Sequence, residues 1–169
     1  ETLSARRLAR FRRNMQIVFQ DPNSALNPRL KVATSLSEGL ANRGIPKRER
    51  REKLESLVDQ VGIPYAHLDR LPHEFSGGQK QRLVIARALS MEPDFLVLDE
   101  PVSNLDVSIQ AQIINLLLDL KNAFSLSYLF ISHDLNLVSY IADTIGVMHG
   151  GRIVEIGPVE SILDSPLHV

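Results

Sequence analysis

Two adjacent carboxylates, Asp99 and Glu100, come directly after the four apolar residues Phe95–Leu98. A short apolar run of this kind predicts a buried strand, and its end would place both carboxylates at the tip of that strand. One carboxylate in such a place can hold Mg²⁺, directly or through water, while its neighbour polarises a water molecule for attack. A strand that simply ends in two solvated acids is the more common case, so the pair alone does not establish a catalytic site.

A second candidate is the run Ser76–Gln79, whose two middle residues are Gly77 and Gly78. Glycines allow a backbone to approach a ligand closely, and the N–H groups at the start of the following helix attract phosphate. The Ser76 hydroxyl adds another hydrogen-bonding group beside them. A serine N-cap followed by a tight turn accounts for the same residues without any ligand.

Two single residues, Gln20 and His133, complete the set of candidates. Gln20 ends the apolar run that starts at Met15, and His133 follows the apolar run Ser127–Ile131. Alone, a strand-end glutamine is usually solvated, and a strand-end histidine is usually a hydrogen-bonded edge residue. Parallel sheets bind ligands at the carboxyl ends of their strands. We therefore expect Gln20, the two carboxylates and His133 to share one edge of a sheet.

The elements that must position these residues alternate between helices and apolar strands. Strands are predicted near residues 15–20, 95–98 and 127–131, and helices near 32–43, 46–61, 76–91, 109–120 and 135–142. The runs 144–148 and 152–156 flank Gly150 and Gly151, which predicts a hairpin with a two-residue turn. This alternation predicts a parallel α/β sheet covered on both faces, with residues 21–75 as a helical insertion.

The composition is that of an ordinary globular domain and excludes several classes of protein. The 169 residues are 44% hydrophobic and 23% charged, enough to bury a sizeable core. No apolar run reaches the roughly 18 residues that a membrane-spanning helix needs. The absence of cysteine excludes a disulfide framework and thiolate metal sites.

The net charge of −1 hides an uneven distribution. Residues 1–53 carry 13 basic and 5 acidic side chains, whereas residues 54–169 carry 6 basic and 15 acidic ones. A basic segment of this kind can mark a nucleic-acid or membrane surface. Two solvated amphipathic helices explain it without any partner, and before the motifs are compared that is the interpretation we favour.

Taken in order, the motifs resemble those of the nucleotide-binding domain of an ABC transporter. Phe75–Arg82 resembles the family's signature motif, and Phe95–Glu100 resembles its Walker B motif. Ser103–Asp106 resembles its D-loop. Gln20 matches the glutamine of the family's Q-loop, and His133 matches its switch histidine. No single motif is specific, but the five in this order are. The sequences of Val18–Pro28 and of Pro101–Asp106 further resemble those of the oligopeptide and dipeptide importer ATPases.

The resemblance implies a role for each residue that matches a motif. Glu100 would be the general base for the attacking water, with His133 and Gln20 as further catalytic groups around the γ-phosphate. Asp99, with Gln20, would serve Mg²⁺. The signature residues would clamp an ATP molecule that a partner subunit holds; they are Ser76, Gly77, Gly78 and Gln79. Asp106, the fifth cofactor-binding position, would couple the two ATP sites.

The resemblance also implies a fold and a setting. The expected fold is a three-layer, P-loop NTPase-like parallel sheet, incomplete here, with core segments at 1–20 and 76–169 and an α-helical subdomain at 21–75. ATP and Mg²⁺ would be the cofactors. The expected partners are transmembrane permease subunits, a second nucleotide-binding domain and, indirectly, a solute-binding protein, with no nucleic acid. The protein would lie peripherally on the cytoplasmic face of the inner membrane.

Two departures from the family pattern matter. Position 104 is Asn where a small Ala is expected. No G-x-x-x-x-G-K-[ST] occurs in the sequence, although this Walker A loop supplies the main grip on the β- and γ-phosphates. We therefore expect a fragment of a longer ATPase, inactive by itself, whose sheet lacks one strand and leaves apolar faces bare.

Two other functions remain as alternatives. One is an ABC-type ATPase of nucleic-acid repair or translation, which would use the basic N-terminal third. Against it, residues 21–75 carry no coiled-coil repeat and few aromatic residues for stacking on bases. The other is a non-catalytic interaction module with vestigial motifs, against which the intact Asp99, Glu100 and His133 argue.

Overall fold

A computed structural model describes residues 4–167 of the chain, without the side chains of residues 5, 6, 9 and 10. The chain forms two compact units, Glu1–Ile131 and Ser132–Val169. Each unit is built around its own sheet, three strands in the first and two in the second.

The first unit contains the parallel sheet. Its strands are β1 (Met15–Val18), β2 (Phe95–Asp99) and β3 (Ser127–Ile131), in the order β1-β2-β3. Ile17 lies opposite Val97, and Val97 lies opposite Leu129. Both pairings are parallel, so the three strands end at the same edge, as the apolar runs predicted.

The described part of the first unit also contains six helices, one before β1 and five between its strands. They are α1 (Ala5–Asn14), α2 (Pro22–Ala25), α3 (Val32–Asn42), α4 (Lys47–Gln60), α5 (Gly77–Leu89) and α6 (Val107–Phe124), with 3₁₀ turns at Tyr65–His67 and Pro72–Glu74. Gly62 takes a left-handed φ of 69° just after α4 and so ends that helix. The very short α2 was not predicted, because its four residues carry no apolar period.

The core of the first unit lies on one face of the sheet. Val18, Leu96 and Leu98 are fully buried on that face, where α5 packs against β1 and α6. On the opposite face the strands carry half-exposed apolar residues: Met15 (44%), Ile17 (43%), Leu129 (49%) and Ile131 (43%). We call these four residues the open row. It matches the bare apolar face expected of an incomplete sheet rather than the fully covered sheet of the complete fold.

The second unit holds the predicted hairpin. Its elements are α7 (Leu135–Ile141), β4 (Thr144–His149), β5 (Arg152–Pro158) and α8 (Val159–Asp164). The strands pair antiparallel around Gly150 and Gly151, which take left-handed φ values of 55° and 76°. Glycine adopts these values without a steric penalty, so the Gly-Gly turn is confirmed. Ile145 of β4 and Ile162 of α8 are buried.

No helix within residues 4–167 is both long enough and apolar enough to cross a membrane. This agrees with the absence of a long apolar run in the sequence.

We expect Tyr128→Phe to lower the free energy of unfolding by about 1 kcal/mol at neutral pH. The Tyr128 hydroxyl donates a 2.8 Å hydrogen bond to the carbonyl oxygen of Leu117 and so fastens β3 to α6. Burial raises the pKa of this phenol above its ordinary value, because the folded state disfavours the phenolate. The stabilisation is therefore complete below the unfolded pKa of about 10 and is lost as the pH rises above it.

Urea denaturation at neutral pH checks the loss of stability, and urea denaturation above about pH 10 checks its dependence on pH. The variant should show a smaller alkaline loss of stability than the parent, whereas Tyr140→Phe, at an exposed tyrosine, should behave like the parent. Equal alkaline losses in the parent and in Tyr128→Phe would contradict this account.

Candidate active site

The carboxyl ends of β1 and β2 bring together Gln20 and Glu100. Gln20 lies two residues past the end of β1 and Glu100 directly after β2, 80 positions apart in the sequence. The Gln20 Nε2 atom donates a hydrogen bond of 3.0 Å to Glu100 Oε2. The parallel register explains this meeting, because Val18 and Leu98 are paired and both chains leave the sheet in the same direction.

The backbone of Glu100 is held in a strained conformation. Its φ is 46°, in the left-handed region that residues with a Cβ rarely occupy, at a cost on the order of 1–3 kcal/mol. The Glu100 N–H donates to the carbonyl oxygen of Ile131 at 3.0 Å, and its carbonyl oxygen accepts from the N–H and Oγ of Ser103 at 3.3 and 3.2 Å. These bonds turn the chain sharply after β2 and direct the Glu100 side chain toward Gln20.

Asp99 is the last residue of β2 and is half-buried beside Glu100. Within residues 4–167, no cluster of three or more His, Asp or Glu side chains could hold a metal by itself. Two neighbouring carboxylates suit Mg²⁺, which usually takes one or two protein carboxylates and completes its shell with water and substrate phosphates. The donor set therefore fits Mg²⁺ carried by a phosphate ligand.

The turn Ser76–Gln79 begins α5 with a complete capping box. Ser76 Oγ accepts from the Gln79 N–H at 3.3 Å, and Gln79 Oε1 accepts from the Ser76 N–H at 3.0 Å. The serine is therefore an N-cap, as one of the two interpretations predicted. Ser76 and Gly77 are nevertheless exposed, so the helix start remains open to a ligand.

The two glycines of this turn lie against the segment that follows β2. A Cβ at Gly77 would stand 3.4 Å from Leu105 Cδ2, which is an ordinary contact. A Cβ at Gly78 would stand 2.6 Å from Ile109 Cγ2, closer than real Cβ atoms come to other atoms. The close packing of α5 on α6 therefore requires glycine at position 78.

A cleft of about 250 Å³ lies between these elements. Its lining includes Gln20, Asn23, Gly77, Lys80 and Asn104. Asn104, the departure from the family pattern, is exposed at its rim and leaves the cleft open. Asp106 is exposed at the N-cap position of α6, where its side chain makes no capping bond.

His133 belongs to the second unit and follows the last residue of β3 by two positions. The next residue, Asp134, caps α7 by accepting from the N–H groups of Asn136 and Leu137 at 2.9 and 3.4 Å. Ser132 Oγ accepts from the Asp134 N–H at 3.1 Å. His133 is therefore held in a tight turn between β3 and α7.

Sequence reasoning missed the polar residues that join α5 to its neighbours. Lys80 Nζ donates to Asn23 Oδ1 at 2.9 Å, and an Arg87 guanidinium N–H donates to the carbonyl oxygen of Ala25 at 2.8 Å. Arg82 donates to the carbonyl oxygen of Val61 at 2.9 Å. The spacing of Lys80 and Arg87 places them on one helix face, but nothing in the sequence indicates partners about 60 positions away.

A family model for ABC transporters matches residues 1–103. The chain belongs to the ABC transporter family. The match covers Gln20, the turn Ser76–Gln79 and both strand-end carboxylates.

Named relatives of this ABC transporter chain are ATP-binding proteins of peptide transport. It is 49% identical over 167 residues to the oligopeptide transport ATP-binding protein OppF of Bacillus subtilis, covering 98% of this chain and 55% of that protein. The OppF of Streptococcus mutans is 51% identical, with coverage of 98% and 54%. The dipeptide transport ATP-binding protein DppF of Lactococcus lactis is 49% identical, again with 98% and 54%. The chain thus spans about half the length of these relatives.

A solved structure confirms the α/β fold with its parallel sheet. The cbiO1 protein of Clostridium perfringens, described as part of the ABC transporter complex cbiONQ, superposes with a TM-score of 0.86 at 31% identity. The match covers 96% of this chain and 64% of cbiO1. The strand order and the helices therefore follow the P-loop NTPase fold of that ATPase family.

Gly78→Ala should destabilise the protein by about 1–3 kcal/mol, because the new methyl group overlaps Ile109 Cγ2. Gly77→Ala is the matched control, since its methyl group meets Leu105 at an ordinary distance and its helix propensity rises in the same way. Chemical denaturation of both variants measures the difference. Adding Ile109→Ala should remove most of the extra cost of Gly78→Ala; equal stabilities of the two alanine variants would refute the packing argument.

Proposed function

We propose that this chain is part of the ATP-binding and ATP-hydrolysing subunit of an ABC importer for oligopeptides or dipeptides. The observation that carries the catalytic part is the 3.0 Å hydrogen bond between Gln20 and Glu100 at the shared end of two parallel strands. Identities of 49% and 51% to peptide-transport ATP-binding proteins, over almost the whole chain, support the choice of cargo.

Glu100 is the proposed general base. Its half-buried carboxylate stands at the carboxyl edge of the sheet, where α/β folds bind their ligands. A carboxylate there accepts a proton from a water molecule as that water attacks the γ-phosphate. Gln20 holds the carboxylate with its amide N–H and keeps one amide oxygen available to orient the water or a metal-bound ligand.

Asp99, with Gln20, is the proposed holder of Mg²⁺. When bound, Mg²⁺ neutralises charge on the β- and γ-phosphate oxygens. Asp99 is the last residue of the extended strand, whereas Glu100 follows it with a left-handed φ of 46°. In this proposal Asp99 serves the metal and Glu100 the attacking water.

The signature residues Ser76, Gly77, Gly78 and Gln79 are proposed to clamp ATP held by a second nucleotide-binding domain. The exposed Ser76 hydroxyl and the N–H groups at the start of α5 are the chemistry that binds a γ-phosphate. Asp106, exposed at the start of α6, is the proposed link between the two sites of such a dimer. We further propose that His133 stabilises the γ-phosphate and positions the attacking water.

The whole subunit is proposed to work at the inner face of the cytoplasmic membrane beside permease subunits, with a solute-binding protein delivering the cargo. Residues 1–20 and 76–169 form the ATPase core in this proposal, and residues 21–75 the helical subdomain that contacts the permease. Support comes from cbiO1, described as part of an ABC transporter complex.

The full-length protein should hydrolyse ATP, and Glu100→Gln should lower kcat by at least 100-fold, because the amide cannot accept the proton of the attacking water. Phosphate release measures this. The matched control is Asp94→Asn, at an exposed carboxylate just before β2.

The 169 residues alone, which contain no G-x-x-x-x-G-K-[ST], should neither bind ATP tightly nor turn it over. If the 169 residues alone hydrolyse ATP, and Glu100→Gln abolishes that activity, the expectation that they are inactive is wrong. Salt-dependent binding of nucleic acid by the full-length protein would favour the alternative function in nucleic-acid repair or translation.

The membrane location has its own test. The full-length protein should sediment with membranes only when its permease subunits are produced in the same cells, because in this proposal those subunits hold it at the membrane. Fractionation of cells with and without the permease measures this. Equal membrane association in both strains would show that the protein reaches the membrane by some other means.

A further inference from the structure

The short helix α2 connects Gln20 to the rest of the chain. Asp21 is the N-cap of α2 and follows Gln20 directly, so the place of α2 determines how the chain leaves β1. Asp21 Oδ1 accepts from both the N–H and the side-chain Nδ2 of Asn23, each at 2.9 Å. These two bonds fix the Asn23 amide and leave its Oδ1 as the outward acceptor.

Helix α5 holds α2 at two points. Lys80 Nζ donates to Asn23 Oδ1 at 2.9 Å, and Arg87 donates to the carbonyl oxygen of Ala25 at 2.8 Å. Lys80 and Arg87 are seven residues apart and therefore lie on one face of α5, about 10 Å from each other along its axis. The two contacts therefore join α2 to α5 at Asn23 and at Ala25.

Lys80 also stands directly after the signature turn. It follows Gln79, whose side chain closes the capping box with Ser76, and the Lys80 N–H donates to the Ser76 carbonyl oxygen at 2.9 Å. Lys80 is half-buried and lines the same cleft as Gln20 and Gly77. A continuous series of hydrogen bonds and peptide links thus runs from the signature turn through Lys80, Asn23 and Asp21 to Gln20 and Glu100.

We propose that Lys80 is a positioning residue, whose hydrogen bond to Asn23 sets the place of Gln20 and Glu100 according to the position of the signature helix. This inference rests on the proposed ATPase function and deepens it. Lys80 acts on Gln20 through its hydrogen bond to Asn23 and so through α2. A shift of α5 when the signature turn meets its ligand would move α2, and with it the amide that holds the catalytic carboxylate.

The test uses the full-length protein with Lys80→Met, which removes the ammonium group and keeps the length, and with Lys80→Arg, which keeps a cationic donor. The matched control is Lys47→Met, at an exposed lysine of α4. Lys80→Met should lower kcat about 5-fold to 20-fold while KM for ATP stays within 2-fold and the melting temperature stays near that of the parent. Lys80→Arg should restore most of kcat, and Asn23→Ala combined with Lys80→Met should lose little more than either change alone.

Hydrogen exchange on the nucleotide-free protein separates this inference from the proposed function. Lys80→Met should speed exchange of the amides of residues 21–26 several-fold, and Lys47→Met should not. If exchange does not change, the Lys80–Asn23 hydrogen bond does not hold α2 on α5, whatever the ATPase activity. If exchange rises but kcat of an active parent is unaffected, the positioning role is refuted. A parent without ATPase activity, with exchange rising as expected, would refute the proposed function and leave the mechanical link between α5 and α2 supported.

Discussion

The parallel pairing of β1 with β2 is the constraint on which the rest of the site depends. Because Val18 lies opposite Leu98, both strands end at one level, and the residues that follow them leave the sheet side by side. This register brings Gln20 and Glu100 within hydrogen-bond distance of each other. A shift of one residue in register would turn the side chains of β1 to the opposite face and separate the two groups.

The sequence was sufficient to predict the strands, the hairpin and most of the helices, because each carries a local signal. Apolar runs of four or five residues mark β2 and β3, the Gly150–Gly151 pair marks the turn, and the spacing of Leu54, Leu57 and Val58 marks α4. These signals depend on near neighbours, and local physics determines them in full.

The sequence was insufficient for contacts that join distant parts of the chain. A lysine and an asparagine 57 positions apart, such as Lys80 and Asn23, carry no local sign that they will meet. The left-handed backbone of Glu100 could not be predicted either, since glycine or asparagine is the usual residue in that conformation. What could be predicted of the site is therefore its set of residues, and what could not is how those residues are held.

The long separation of β1 from β2 affects how the chain is made. At about 5–20 residues per second, a ribosome needs roughly 4–16 s to add the 80 residues that separate the two strand ends. During that interval β1 has no strand to pair with, and Val18, which is fully buried in the folded unit, is accessible to any other apolar surface. The two strands can pair, and Val18 can be buried, only after β2 emerges.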